Sequence, residues 1–143
     1  MKSKVLITDY VWPSTDPERE ILEGAGIELV VAPDASESTL AALATDVDAI
    51  MFCFAQVTGK VLESAPKCKI AARYGIGVDN VDISKATQLG IVVTNVPDYC
   101  MDEVTDHALG MILALNRRLV PHTRSVLSGG WDGVALNQPM HRT

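Results

Sequence analysis

The sequence is short of cysteine and of aromatic residues, and the shortage of cysteine excludes one class of fold. The 143 residues include only 3 cysteines, at positions 53, 68 and 100, and no two of them form a Cys-x-x-Cys pair. Such sparse cysteines indicate buried thiols in a reducing compartment rather than a disulfide framework. The 3 histidines are equally scattered, so we expect no metal site and a cytoplasmic protein.

Basic residues and long apolar runs are lacking as well. The 12 lysines and arginines are outnumbered by 18 acidic residues, which leaves a net charge of −6 and no basic stripe for a phosphate backbone. No apolar run approaches the roughly 20 residues of a membrane span, and the patch after Lys4 is too short for a signal peptide. We therefore expect neither a nucleic-acid partner nor a membrane partner.

Five short apolar runs are present instead, and they predict five buried β-strands. Each run is apolar at consecutive positions, which is typical of strands in a parallel sheet covered on both faces. The runs occupy residues 5–8, 28–32, 49–54, 70–74 and 91–94. With helices between them, they predict an α/β domain of the doubly wound, flavodoxin-like type, with a five-stranded parallel sheet in the order 2-1-3-4-5.

Capping residues between the runs predict four short helices. Helix starts are expected at Asp16 with Pro17 in the first helical position, at Ser36 or Ser38, at Thr58 and at Asp82. Helix ends are expected at Gly24 or Gly26, near Pro66 and at Gly90. From Asp102 to about Val120 a long helix with almost no polar face is predicted, and such a helix must be buried on several sides by a partner.

The carboxyl edge of a parallel sheet is where ligands bind, and Gly75-Ile76-Gly77 follows the fourth strand there. Backbone N–H groups in such a turn suit a small carboxylate, although a simple tight turn remains the alternative. Arg73 could contact the same anion or form a structural salt bridge to Asp79, Asp82 or a helix terminus. The segment is not a dinucleotide fingerprint, because Asn80 stands where that motif needs a third glycine.

Three motifs, in order, resemble the D-isomer-specific 2-hydroxyacid dehydrogenase family, in the branch of phosphoglycerate dehydrogenase, glyoxylate reductase and the C-terminal-binding proteins. The motifs are RYGIGVDNVD at 73–82 with GIVVTNVP at 90–97, then EVTDHAL through LNRRL at 103–119, then SGGWD at 128–132. The similarity covers essentially the whole chain. The resemblance implies an NAD-dependent oxidoreductase that exchanges hydride between a D-2-hydroxy acid and its 2-oxo acid.

The resemblance also implies residue roles. Ile76 and Gly77 would donate backbone N–H groups to the substrate carboxylate, and Gly75 would allow the turn. Ala55 and Gln56 would border the substrate. The cofactor NAD would lie against Ile76, where many relatives have serine or threonine, and would be approached by Val104 and Thr105.

In the family the NAD-binding domain and the catalytic arginine, glutamate and histidine lie outside the part that this sequence matches. The resemblance therefore implies a substrate-binding domain at 1–100, interdomain helices at 101–130 and a linker at 131–143 toward an NAD-binding domain. This chain alone would be inactive, would hold NAD weakly, and would form a homo-oligomer through its long helix. The alternative is a non-catalytic relative that binds carboxylates or proteins. No catalytic residue is expected here, and His107 is expected to have a structural role.

Overall fold

The computed structural model describes residues 2–131 and 133, and these residues form five strands and six helices. The strands are β1 (Lys4–Ile7), β2 (Glu28–Val31), β3 (Ala49–Phe52), β4 (Ile70–Arg73) and β5 (Val92–Thr94). The helices are α1 (Asp16–Gly24), α2 (Glu37–Ala44), α3 (Gly59–Glu63), α4 (Ile83–Leu89), α5 (Met101–Asn116) and α6 (Leu119–Leu127). The chain divides into two compact units, Met1–Tyr99 and Cys100–Thr143.

The first unit is an α/β domain built on one parallel sheet. Its strand order is β2-β1-β3-β4-β5, so the predicted fold class and strand order are confirmed. The register aligns the strand starts, with Val5 opposite both Leu29 and Ala49. Because all five strands run the same way, their carboxyl ends, and the loops that follow them, lie along one edge of the sheet.

Local capping explains where most of the helices begin. The side chains of Ser36, Thr58 and Asp82 accept hydrogen bonds from backbone N–H groups of α2, α3 and α4, as predicted. Gly90 ends α4 with a φ of 72°, a left-handed conformation that favours glycine. The first helix differs from the prediction: Thr15 holds the N-cap position without a side-chain hydrogen bond, and Asp16 is the first helical residue.

Two apolar clusters lie on opposite faces of the sheet. The larger joins Leu6, Ile50 and Phe52 to side chains of α2, α3 and α4, and these three strand residues are 0% exposed. The smaller joins Val5, Ile7 and Leu29 with the partly buried Leu22 of α1. Helices therefore cover both faces of the sheet, which explains why the strand sequences are apolar at consecutive positions.

Within the described residues the second unit contains α5 and α6, and α5 ends at Asn116, before the end near Val120 that the sequence predicted. The break falls at Arg118, whose φ of 51° is left-handed, and α6 starts at Leu119. Pro121 supplies the physical reason. In a continuous helix it would lack the N–H for the carbonyl of Arg117, and its ring would clash with that carbonyl.

The side chains of α5 are not buried within this chain. None of its residues is classed as buried, and Leu109, Met111, Ile112, Leu113 and Leu115 are 52–76% exposed. The burial expected for this apolar helix is therefore not provided by residues 2–131 or 133. Among these residues no helix is long and apolar enough to cross a membrane. The predicted linker at 131–143 lies outside the described residues except for Trp131 and Gly133.

Candidate functional site

Four loops meet at the carboxyl edge of the sheet and form the candidate site. They are Thr8–Asp9 after β1, residues 53–57 after β3, residues 74–80 after β4, and residues 95–97 after β5. Hydrogen bonds tie them together: Val57 N–H donates to the carbonyl of Asn80 at 2.8 Å, and Val96 N–H donates to that of Gly75 at 3.0 Å. The loops thus form one connected edge.

In the loop after β4, several carbonyl groups accept hydrogen bonds, whereas the N–H groups of Ile76 and Gly77 are not bonded to any described residue. The carbonyl of Ile76 accepts from Asn95 Nδ2 at 2.9 Å, and that of Gly77 accepts from Arg73 Nε at 3.0 Å. In contrast, the N–H groups of Ile76 and Gly77 have no acceptor within the part of the chain that the structure describes. Gly77 and the side chain of Ile76 are exposed. The loop therefore offers hydrogen-bond donors at the surface.

The backbone of this loop does not require glycine through a left-handed conformation. Gly75 and Gly77 do not have a positive φ, so the turn needs no left-handed residue and an alternating right- and left-handed nest is not formed. A Cβ atom on Gly75 would meet only the guanidinium group of Arg73, at ordinary contact distances of 3.5–3.6 Å. On Gly77, a Cβ would lie 2.9 Å from Asp79 Oδ1, the end of an exposed side chain.

Arg73 lies beside the same loop, held by aromatic rings instead of by a carboxylate. Its Cζ atom is 5.8 Å from the ring centroid of Phe52 and 5.4 Å from that of Phe54, within cation–π range. No ion pair of Arg73 with Asp79 or Asp82 occurs in residues 2–131. Of the roles that the sequence left open, the salt bridge to Asp79 or Asp82 is absent, and the positive charge lies beside the loop without a carboxylate partner among the described residues.

The segment after β3 is held by Asp9, for which the sequence predicted no role. Asp9 accepts three consecutive backbone N–H groups: Cys53 at 2.9 Å on Oδ1, and Phe54 at 2.6 Å and Ala55 at 3.1 Å on Oδ2. The Thr8 hydroxyl also donates to Oδ1 at 2.8 Å. Burial alone would raise the pKa of Asp9, but these hydrogen bonds to the carboxylate outweigh it and lower the pKa below its ordinary value.

Asn80 holds the same segment from its carbonyl side. Its Nδ2 atom donates to the carbonyls of Cys53 at 3.1 Å and Ala55 at 2.9 Å, and the residue is 6% exposed. Its Oδ1 atom is buried and finds no donor in the described chain, so the two carbonyls alone orient the amide. From the sequence, Asn80 was informative only as the residue that breaks a glycine fingerprint.

The predicted substrate-bordering residues follow this segment directly. Ala55 is buried at 6% exposure, whereas Gln56 is exposed. Gln56 lines a cavity of about 270 Å³ together with Thr58, Asp79 and Asp82. A larger cavity of about 450 Å³ lies within the second unit, but its lining is almost entirely apolar and it contains none of the predicted site residues.

Val104 and Thr105, predicted to approach the cofactor, lie in the first turns of α5, and both are exposed. His107 is exposed on the same helix. Across residues 2–131, no group of three or more histidine, cysteine, aspartate or glutamate side chains is arranged to hold a metal ion.

The family comparison decides the assignment. The profile of the D-isomer specific 2-hydroxyacid dehydrogenase catalytic domain matches residues 5–136. The chain belongs to this family. A glyoxylate reductase of Thermococcus onnurineus (strain NA1) is 36% identical, over 98% of this chain and 42% of that protein. A D-3-phosphoglycerate dehydrogenase of Methanocaldococcus jannaschii is also 36% identical, over 90% of this chain and 24% of that protein.

Solved structures of family members share the fold. The NADPH-dependent glyoxylate/hydroxypyruvate reductase of Sinorhizobium meliloti, solved with citrate, is 30% identical with a TM-score of 0.75, over 91% of this chain and 40% of that one. The NAD+-bound 3-phosphoglycerate dehydrogenase of Entamoeba histolytica is 26% identical with a TM-score of 0.71, over 82% of this chain and 40% of that one. The chain thus spans at most about two fifths of the length of these relatives.

Proposed function

We propose that this chain is the substrate-binding part of an NAD-dependent dehydrogenase that interconverts a D-2-hydroxy acid and its 2-oxo acid. The observation that carries the proposal is the loop after β4, where the N–H groups of Ile76 and Gly77 have no acceptor among the described residues while the neighbouring carbonyls are bonded. Two N–H donors beside the positive charge of Arg73 suit a small carboxylate. Ala55 and Gln56 would border the rest of the substrate.

A titration of the 15N-labelled chain with oxalate, a planar analogue of a 2-oxo acid, tests this assignment. We expect the amide signals of Ile76 and Gly77 to shift with a common dissociation constant, because their N–H groups would gain an acceptor. Gly26 and Gly129, which lie outside the four loops, serve as internal controls and are expected not to shift. If oxalate moves other amides but leaves Ile76 and Gly77 unchanged, the carboxylate site is wrongly assigned.

We expect Ile76, Val104 and Thr105 to meet the nicotinamide end of the cofactor. Ile76 is 44% exposed and Val104 is 60% exposed, so each offers an apolar surface for an aromatic ring, and Thr105 adds a hydroxyl group. NAD would supply the hydride acceptor. No segment of the sequence has the glycine pattern that holds a pyrophosphate, so that contact would come from another domain.

We therefore expect the 143-residue chain to be inactive by itself and to bind NAD weakly. The assay follows NADH oxidation with glyoxylate, hydroxypyruvate and pyruvate, and the same assay with a glyoxylate reductase of the family is the positive control. Clear substrate-dependent oxidation of NADH by this chain would overturn the proposal that another domain is needed to bind the cofactor.

The exposed helix α5 favours a second property, association between chains. Burying side chains such as Leu113 and Leu115, which are 57% and 76% exposed, would remove a large apolar surface from water. We expect a dimer by light scattering, and Leu115→Lys is expected to shift it toward monomer. Leu89→Lys on α4, a leucine that is also exposed at 46%, is the matched control. A monodisperse wild-type monomer would contradict association, and with it the interaction-module alternative.

We also propose a cytoplasmic location. Cys53, Cys68 and Cys100 are free thiols, as a reducing compartment favours. Burial raises the pKa of Cys53 and Cys68, which keeps both in the unreactive thiol form.

A further inference from the structure

The three residues after β3 form a second place at the sheet edge where consecutive backbone N–H groups converge. Unlike the donors of the loop after β4, these N–H groups already have an anion, because the Asp9 carboxylate accepts from Cys53, Phe54 and Ala55. Consecutive amides around one carboxylate are the arrangement by which loops bind external anions. Here the anion is part of the protein and arrives from the neighbouring strand β1.

The carbonyl side of this segment is fixed independently. Asn80 donates to the carbonyls of Cys53 and Ala55, so hydrogen bonds reach the segment from both its donor side and its acceptor side. Asn80 also ends the loop that carries Ile76 and Gly77, and its own carbonyl accepts from Val57 N–H. The conformation of the segment after β3 is therefore coupled to that of the loop with the free donors.

We propose that Asp9 and Asn80 are positioning residues for the substrate: they hold residues 53–55 from opposite sides, and so fix Ala55 and Gln56 relative to the donors of Ile76 and Gly77. This inference rests on the function proposed above. Neither residue touches the substrate. Asp9 fills the first set of amides, which leaves the loop after β4 as the one that receives the substrate carboxylate.

The direction in which Asp9→Asn changes the affinity for oxalate distinguishes a positioning role from a simple electrostatic effect. Asp9 carries a negative charge at the edge where an anion is to bind, so removing that charge would by itself strengthen oxalate binding. Positioning predicts the opposite. In Asp9→Asn an uncharged amide replaces the carboxylate and places N–H donors against backbone N–H donors, so the segment loses its fixed conformation. Hydrogen bonds weaken steeply when donor and acceptor are misaligned, so a segment without a fixed conformation is expected to weaken binding.

The experiment measures oxalate dissociation constants by the amide shifts of Ile76 and Gly77 in wild type, Asp9→Asn and Asp48→Asn. Asp48 is the matched control because it accepts the backbone N–H of Lys4 at 2.8 Å, at the opposite edge of the sheet. We expect Asp9→Asn to weaken binding about tenfold, and Asp48→Asn to leave it within about twofold, although both lose a hydrogen bond to a carboxylate. Unchanged or tighter binding in Asp9→Asn overturns the positioning role.

Two further measurements keep the inference testable if Asp9→Asn does not fold. Asn80→Ala releases only the carbonyl side, and we expect a weakening in the same direction; unchanged binding contradicts the inference. In the wild type, hydrogen exchange of the Phe54 and Ala55 amides is expected to be slow before oxalate is added, because Asp9 already holds them. Protection that arises only with oxalate shows that the segment is not held in advance.

Failure of the inference is distinct from failure of the proposed function. If oxalate does not shift Ile76 and Gly77 in the wild type, the carboxylate site itself is wrong. If oxalate binds there and the Asp9 and Asn80 variants bind it equally well, the site is retained and only the positioning role is refuted.

Discussion

The Asp9 carboxylate gives the stability of this domain a specific dependence on pH. In Asp9→Asn the N–H groups of Cys53 and Ala55, in residues only 5% and 6% exposed, lose a charged acceptor. Each such loss costs about 1.5 kcal/mol, while the Phe54 amide belongs to a residue that is 64% exposed and is hydrated instead. We expect the variant to unfold with about 3 kcal/mol less free energy than the wild type at pH 7.

The difference between the two proteins is expected to shrink as the pH falls. The pKa of Asp9 is lowered in the folded protein, so its contribution is fully present above the unfolded value of about 4 and is lost as the pH falls through the folded value. Other acidic groups are the same in both proteins and cancel from the comparison. Once the carboxyl of the wild type is protonated, the variant no longer differs from it by a charge.

Urea unfolding followed by far-UV circular dichroism at pH 7, 5, 4 and 3 measures this difference. With a slope of about 2 kcal/mol per molar urea, a loss of 3 kcal/mol lowers the midpoint at pH 7 by about 1.5 M. Asp48→Asn controls for the general effect of losing a carboxylate that accepts a backbone N–H. A difference between wild type and Asp9→Asn that is independent of pH, or that is below about 0.5 kcal/mol at pH 7, would refute the reasoning.

Three other outcomes follow from the fold. Phe52→Ala, which empties a fully buried site in the larger cluster, is expected to lower the free energy of unfolding by about 3–5 kcal/mol in urea titrations; a loss below 1 kcal/mol would contradict the packing. Gly90→Ala is expected to cost about 1–2 kcal/mol, because φ at this position is 72°. Gly24→Ala, at a helical glycine with open space around it, is its control and is expected to be neutral or stabilising. Asp82→Ala, which removes the cap of α4, is expected to cost about 1 kcal/mol, and an unchanged urea midpoint would show that the cap contributes nothing.

Most of the fold was predictable because its signals are local. Each strand is a short run of consecutive apolar residues. The capping side chains of Ser36, Thr58 and Asp82 accept hydrogen bonds from N–H groups only three residues further along the chain. The break between α5 and α6 also has a local signal in Pro121, although the apolar pattern by itself indicates a helix that continues past this break. The position of the loop with Gly75 followed from the rule that parallel strands end at one edge.

The candidate site was predictable only in part. The sheet edge and the family resemblance both indicated Ile76 and Gly77. Only the structure shows that Asn95 and Arg73 bind the carbonyls of these two residues and that their N–H groups have no acceptor among the described residues. Asp9 and Asn80 carried no motif for their role. An acidic residue directly after a buried strand, at the edge where ligands bind, is the one signal that would have drawn attention to Asp9.

The sequence by itself determined the five strands, their parallel arrangement and the family to which the chain belongs, because apolar runs and motifs are formed by residues that are neighbours in the sequence. Only the tertiary structure decided which polar groups are satisfied. Asp9 meets its amides 44 to 46 positions along the chain, and Asn80 meets its carbonyls 25 and 27 positions back. Such contacts exist only after β1, β3 and β4 have paired in register, because pairing is what brings the ends of these strands together.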